Sequence, residues 1–222
     1  MHKIKHFIFA TLLAGVSIAP AQAGIIFYTD YAAFTAAAGG LTTIDFEGIV
    51  GDSGAQQLDS HTFGNTTFTP SNPGSSLICG KNTCYGSPFD SATYVANFNT
   101  DLDITFGGGV TAGGGFFGDL DGPGFEAIFN VYDAFNNLID TQVQFLGDFG
   151  AGLAHNFLGW ISDGGDEISK ININVGGNTW LALDDFGVSD NVRGVPEAGT
   201  LMLMALGLLG MGLSSRRKKY TV

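Results

Sequence analysis

The chain has 222 residues, 21 of them acidic against nine basic, and a formal net charge of −12 at pH 7. Such a surface repels nucleic acid and anionic lipid, so a nucleic-acid role is excluded. The 34 glycines and 19 phenylalanines point to many short strands joined by tight turns.

In chain order, residues 1–23 come first. Lys3 and Lys5 precede an apolar block from Phe7 to Ala19, and Ala21-Gln22-Ala23 follows it. A positive start, a short apolar centre and an Ala-x-Ala site are the parts of a secretory signal peptide. Cleavage is expected after Ala23, with a single folded domain over 24–195. That length buries a sizeable core without help.

The segment "TDYAAFTAAAGG" is the one predicted helix of this domain, with Thr29 or Asp30 as cap and Gly39 as stop. In "TIDFEG", Ile44 and Phe46 alternate with Asp45 and Glu47. Cys79 and Cys84 enclose four turn formers, and in an exported protein they are expected to form a local disulfide. The glycine runs Gly107 to Gly109 and Gly113 to Gly115 read as bulges or close strand crossings. No helical pattern follows them, so they are not phosphate cradles.

The stretch "GDLDGPGFE" places Asp119 and Asp121 at the first and third positions of an EF-hand-like loop. The pattern then fails, with Asn130 where the closing glutamate belongs, which leaves an acidic turn between strands. "AIFNVYDAFNNLIDTQVQF" reads as a hairpin: a strand Ala127 to Tyr132, a turn at Asn136-Asn137, and a strand Leu138 to Phe145. "ISKININVGGNTWLALDDFGV" reads as a second hairpin. Its first strand alternates Ile171, Ile173 and Val175 with Asn172 and Asn174. Its turn is Gly176-Gly177-Asn178, and its second strand is Trp180 to Phe186.

In that last strand Trp180, Ala182, Asp184 and Phe186 share one face, and Leu181, Leu183 and Asp185 share the other. Whichever face is inward, one aspartate points at the core, and a buried carboxylate needs a partner. Lys3, Lys5 and Arg216 to Lys219 lie in the two ends, so the domain keeps three basic residues, Lys81, Lys170 and Arg193, against 20 acids, a net charge near −17. A hard cation such as Ca²⁺ is the candidate partner, with Asp45, Glu47, Asp184 and Asp185 as ligands.

Catalytic signatures are missing. His61 and His155 each stand alone, without H-E-x-x-H, and no G-x-S-x-G elbow is present. Twenty carboxylates offer no way of choosing a glycosidase pair, whose identity rests on spatial separation.

The C-terminus is "VPEAGTLMLMALGLLGMGLSSRRKKYTV". Leu201 to Leu213 is uncharged, and as a helix it covers ~20 Å. Extended from Ala198 to Ser215 it reaches ~27 Å, close to the ~30 Å hydrocarbon core. Arg216, Arg217, Lys218 and Lys219 hold its end on the cytoplasmic side. Val195-Pro196-Glu197, a glycine- and leucine-rich helix and this basic cluster together resemble the PEP-CTERM sorting signal, with Ala198 where the family name has a second proline. The resemblance implies an exported protein of a Gram-negative, exopolysaccharide-producing bacterium. It is expected to be held at the inner membrane as a precursor, then processed by exosortase and delivered to the cell surface or matrix. Residues 196–222 are then a sorting tail.

Asp45-Phe46-Glu47 near the start and Asp184-Asp185 near the end of the domain resemble the first and last strands of jelly-roll domains of the MAM and carbohydrate-binding-module type. That resemblance implies a structural calcium between them. The expected fold is all-β: a jelly-roll-like antiparallel sandwich with one short N-terminal helix and a separate C-terminal hydrophobic helix. The expected role is a non-catalytic exopolysaccharide- or biofilm-associated binding or structural module. Trp160, Trp180, Tyr85 and Tyr94 are the candidates for stacking on sugars. The alternative is a secreted polysaccharide hydrolase or lyase.

Overall fold

The computed structural model describes residues 24–84, 93–98, 100–120, 122–147, 156–163, 167–176 and 179–189. The chain divides into two compact units, Ala23–Val195 and a second made of Met1–Gln22 with Pro196–Val222. The expected signal peptide and sorting tail lie outside the described residues, as do Tyr85, Asp121 and His155. Among the described residues no helix is long and apolar enough to cross a membrane.

The short alternating runs form fourteen strands, β1 (Gly24–Tyr28), β2 (Thr42–Ile44), β3 (Ala55–Gln57), β4 (His61–Phe63), β5 (Thr66–Pro70), β6 (Ser76–Gly80), β7 (Thr93–Phe98), β8 (Leu102–Val110), β9 (Ala112–Asp119), β10 (Phe125–Tyr132), β11 (Leu138–Leu146), β12 (Asn156–Asp163), β13 (Ile168–Asn174) and β14 (Trp180–Ser189). They make two antiparallel sheets. One has eight strands in the order β1-β12-β9-β14-β7-β6-β3, with β2 also on β14; the other has six, β11-β10-β13-β8-β5-β4.

Alternate residues of both sheets meet in one core that includes Phe68, Phe106, Phe117, Phe129, Trp160 and Phe186. Each such side chain contributes ~1.5–3 kcal/mol by leaving water. The rings meet largely edge to face, as in Phe117 on Phe129 at 5.2 Å and Phe46 on Phe68 at 5.2 Å. Their quadrupoles favour that arrangement.

Helix α1 (Tyr31–Ala38) starts where expected, with the Asp30 carboxylate accepting the Ala33 N–H at 2.7 Å, and ends at Gly39 with φ 89°. It lies on the outer side of the eight-stranded sheet, where Phe34 meets Phe157 at 5.0 Å. Glycine makes this approach possible: a Cβ on Gly159 of β12 would stand 2.6 Å from the Phe34 ring. One β9 neighbour, Gly114, is just as constrained, since its Cβ would meet Gly159 Cα at 2.7 Å. Gly113 to Gly115, read in the sequence as bulges or close strand crossings, lie in this regular β9–β12 ladder.

The β10–β11 hairpin is as expected, and Asn136 takes the left-handed turn conformation at φ 61°. The second hairpin is not. β13 pairs with β10 and β8 in the six-stranded sheet, whereas β14 pairs with β9, β7 and β2 in the other. The chain therefore crosses between sheets after Asn174. Local turn residues mark a reversal, but they do not say whether the chain returns to the same sheet.

The face pattern in β14 also differs from strict alternation. Asp185 sits at φ 46°, and the register against β9 shifts between Asp184 and Gly187. This bulge inserts one residue, so Phe186 turns to the core beside Leu181 and Leu183, while Ala182 and Trp180 pack on the opposite side. Phe186 thus leaves the face predicted for it, and a bulge explains why.

Candidate functional site

The outer side of the six-stranded sheet is unusual for what covers it. Five residues lie in line across the strands, Thr141, Asn130, Asn172, Asp103 and Thr69, as the strand registers require, and Ser60 stands beside Thr69 at the end. Side-chain hydrogen bonds join the first four. Thr141 Oγ1 donates to Asn130 Oδ1 at 3.0 Å, Asn130 Nδ2 donates to Asn172 Oδ1 at 3.4 Å, and Asn172 Nδ2 donates to Asp103 Oδ1 at 2.7 Å. At the far end the hydroxyls of Ser60 and Thr69 share a bond of 3.1 Å.

Every asparagine in this row accepts on one side and donates on the other, so the bonds polarise one another toward the Asp103 carboxylate. An amide nitrogen has two N–H groups, and the row uses one of each pair, which leaves the second for another partner. A parallel row runs Leu138, Tyr132, Lys170, Thr105, Thr67 and Thr62. There Lys170 Nζ lies 4.1 Å from the Tyr132 ring centre, a cation–π contact.

β11 completes the face in reverse polarity. Asp140, Gln142 and Gln144 share the side of buried Val131, Phe129 and Ala127, while Val143 and Phe145 stand outward opposite Ile128 and Glu126. Leu138, Val143 and Phe145 are 56%, 53% and 60% exposed. An apolar strip therefore borders the amide and hydroxyl row. The hairpin tip adds Phe135. Its turn is tied by Asp133, whose Oδ1 accepts the Phe135 and Asn137 N–H groups at 2.8 Å and 2.8 Å. The Asn137 side-chain amide, the Asn137 N–H and the Phe135 N–H hold the Asp133 carboxyl below its usual value near 3.8.

The carboxylates singled out in the sequence lie elsewhere. β2 pairs with β14, Ile44 opposite Phe186, so the first motif does run beside the last strand. Phe46 adopts φ 56° and is buried against Phe63 and Phe68, leaving Asp45 and Glu47 exposed on either side of it. Asp45 Oδ1 accepts the Glu47 N–H at 3.1 Å, and Glu47 Oε1 accepts the Thr93 N–H at 3.1 Å. Asp184 is the aspartate that is fully buried, and its Oδ1 accepts the Asp185 N–H at 2.8 Å. Among the described residues no three of histidine, cysteine, aspartate and glutamate come together at metal-holding distance, these four included.

Asp119, of the rejected EF-hand-like loop, is a structural clip. It is buried and accepts from Thr179 Oγ1 at 2.9 Å and from the Gly124 N–H at 3.1 Å. Cys79 and Cys84 are joined by a disulfide, and the loop they close is sewn to its neighbour by Asn82 N–H on Asp52 O and a Lys81–Asp52 ion pair of 2.9 Å. His61 stacks on Phe63 at 4.7 Å. Two of the proposed sugar-stacking aromatics are ruled out, because Trp160 and Tyr94 are 0% exposed. Trp180 is half-buried. The amide and hydroxyl row escaped sequence reading because its members come from separate strands. Its one local sign was the I-N-I-N alternation at Ile171 to Asn174.

Residues 194–218 match the family model of the PEP-CTERM protein-sorting motif. The chain thus carries the sorting motif of an exported, membrane-anchored precursor. No curated protein matches the sequence. Among solved structures, the K2 cleaved adhesin domain of Lys-gingipain is similar at 11% identity over 68% of this chain and 99% of that one, with a TM-score of 0.44. A family 6 carbohydrate-binding module is similar at 11% identity over 64% of this chain and 96% of that one, with a TM-score of 0.35. A glycoside hydrolase family 43 arabinoxylan arabinofuranohydrolase from Bacillus subtilis is similar at 10% identity and a TM-score of 0.35, over 64% of this chain and 28% of that one.

Proposed function

We propose that this jelly-roll-like sandwich is a surface or matrix protein that binds exopolysaccharide along the outer side of its six-stranded sheet, after exosortase has processed its tail. The observation that carries the reading is the hydrogen-bonded row of amides and hydroxyls beside an apolar strip. A sugar ring has the matching two-sided chemistry, hydroxyls at its edge and C–H groups on its faces. Neighbouring strands stand ~4.8 Å apart, close to one hexose in an extended polymer, so successive residues of the row meet successive sugars.

One observation favours a second reading. β11 is a nine-residue edge strand whose apolar side chains face outward, and exposed apolar edges mark contacts with other proteins. A structural matrix protein would use it so.

The test mixes the Ala23–Val195 unit with purified exopolysaccharide and measures bound protein and polymer length together. The glycan reading predicts binding without shortening, lost at least ~10-fold in Asn130→Ala with Asn172→Ala, as removal of paired hydrogen bonds implies. Shortened polymer would make the protein a hydrolase or lyase. No binding to any neutral or host polymer would leave the protein-contact reading.

A further inference from the structure

We propose a second binding site, at one end of the sandwich, for a sugar bearing a free amine. A groove of about 380 Å³ opens between β2 and the β4–β5 turn, and a hollow of about 300 Å³ adjoins it past Asn65 and Gly109. Both are of the size that small ligands occupy, ~300–1,000 Å³. Neither shares a residue with the amide and hydroxyl row, so this site stands or falls independently of the sheet-face reading.

The floor of the groove is apolar. Ile44 and Val110 are 7% and 5% exposed, and Phe63 packs against the core between them and Phe46. The lining is polar as well, with Asp45 and Glu47 in the groove, Glu167 in the hollow and Asn65 shared by both. An apolar floor under a polar rim suits one face and the edge of a sugar ring.

Two backbone features shape this rim. Phe46, in its left-handed conformation, fills the core and leaves Asp45 at the groove. Gly109, at φ 74°, leaves room for Glu167: a Cβ there would stand 2.7 Å from Glu167 Cβ and 2.7 Å from its Oε2. Any other residue at this position would push the carboxylate away.

Charge then selects the ligand. Among the described residues no lysine, arginine or histidine lines the groove or the hollow, so an anionic sugar would face the carboxylates of Asp45 and Glu47 in the groove and of Glu167 in the hollow. A neutral sugar would use Asn65 and the floor alone. An ammonium group on the ring gains charge-assisted bonds to a carboxylate of this lining, which are about twice as strong as neutral ones.

The probe is glucosamine and its short oligomers, titrated by calorimetry into the Ala23–Val195 unit while the amine is protonated, with the N-acetylated oligomers in parallel. The glucosamine series should bind at least ~10-fold tighter than the acetylated one, as charge-assisted bonds imply. Asp45→Asn with Glu167→Gln should remove most of that preference at unchanged Tm, with Glu47 the one lining carboxylate left among the described residues. Asp59→Asn with Asp163→Asn removes the same charge elsewhere and should keep it, as should Asn130→Ala with Asn172→Ala. Equal binding of the acetylated oligomers would overturn the proposal. So would a preference lost equally in both charge-removing pairs, which would mean attraction to overall charge.

Discussion

Asn172 on β13 donates to Asp103 on β8 across 2.7 Å, and the same asparagine accepts from Asn130 on β10 at 3.4 Å. Three strands of one sheet are thus linked on their outer side by side chains as well as by their backbones. The row is half-buried, so its bonds contribute modestly to stability, roughly 0.5–1.5 kcal/mol each. Asn172→Ala should therefore lower Tm by only a few degrees while it weakens glycan binding at least ~10-fold. A large loss of Tm with affinity unchanged would make the row structural.

Gly159 controls how the helix sits. Gly159→Ala places a methyl group against the Phe34 ring, where contact would otherwise fall at 2.6 Å. Because Phe34 is fully buried, the ring cannot move without disturbing its neighbours. The expected cost is ~1–3 kcal/mol, read as a fall in Tm or in denaturant midpoint. Unchanged stability would mean that α1 does not rest on this glycine.

Ser162 presents the opposite case. Its Oγ and the Trp160 Nε1 are buried on one face of β12 without a hydrogen-bond partner. A hydroxyl in that position costs free energy on folding, so Ser162→Ala should raise stability by about 1 kcal/mol. A loss of stability would show that the hydroxyl holds an ordered water inside the sandwich.

The turn at Asp133 gives a pH dependence of known sign. Its carboxyl is held below the usual 3.8 chiefly by the Asn137 side-chain amide, then by the Asn137 and Phe135 N–H groups. A group whose pKa is lower in the folded state contributes stability that is complete above its unfolded value and fades as pH falls through the folded one. Wild type and Asp133→Ala should therefore differ most at neutral pH and converge below pH 3.8. A gap that stays constant through that window would contradict the assignment.

The sequence made local features legible and long-range ones not. Asp30 and Gly39 bracket the helix, and Asn136 marks its turn, because a cap or a left-handed residue acts within a few positions. The Cys79–Cys84 bridge is of the same kind. The partner of β13 could not be read locally, since Gly176 permits a reversal toward either sheet. Phe186 changed face because Asp185 adds one residue, and alternation has no memory of a bulge. The same limit hid the amide row: Asn130, Asn172 and Asp103 become neighbours only through two separate registers. The carboxylates of Asp45-Phe46-Glu47 were visible from the start, but the groove they border depends on Gly109 and Glu167, over 60 residues away.

The central claim is that sugars meet the amide row. The most direct measurement follows the side-chain NH₂ signals of Asn130 and Asn172 by nuclear magnetic resonance while neutral oligosaccharides of the host polymer are added. Binding on this face predicts that both pairs of signals shift together and saturate at the same concentration, with Thr141 and Thr105 responding alongside. Saturable shifts confined to other residues, or none at these two amides under conditions where the polymer binds, would contradict it.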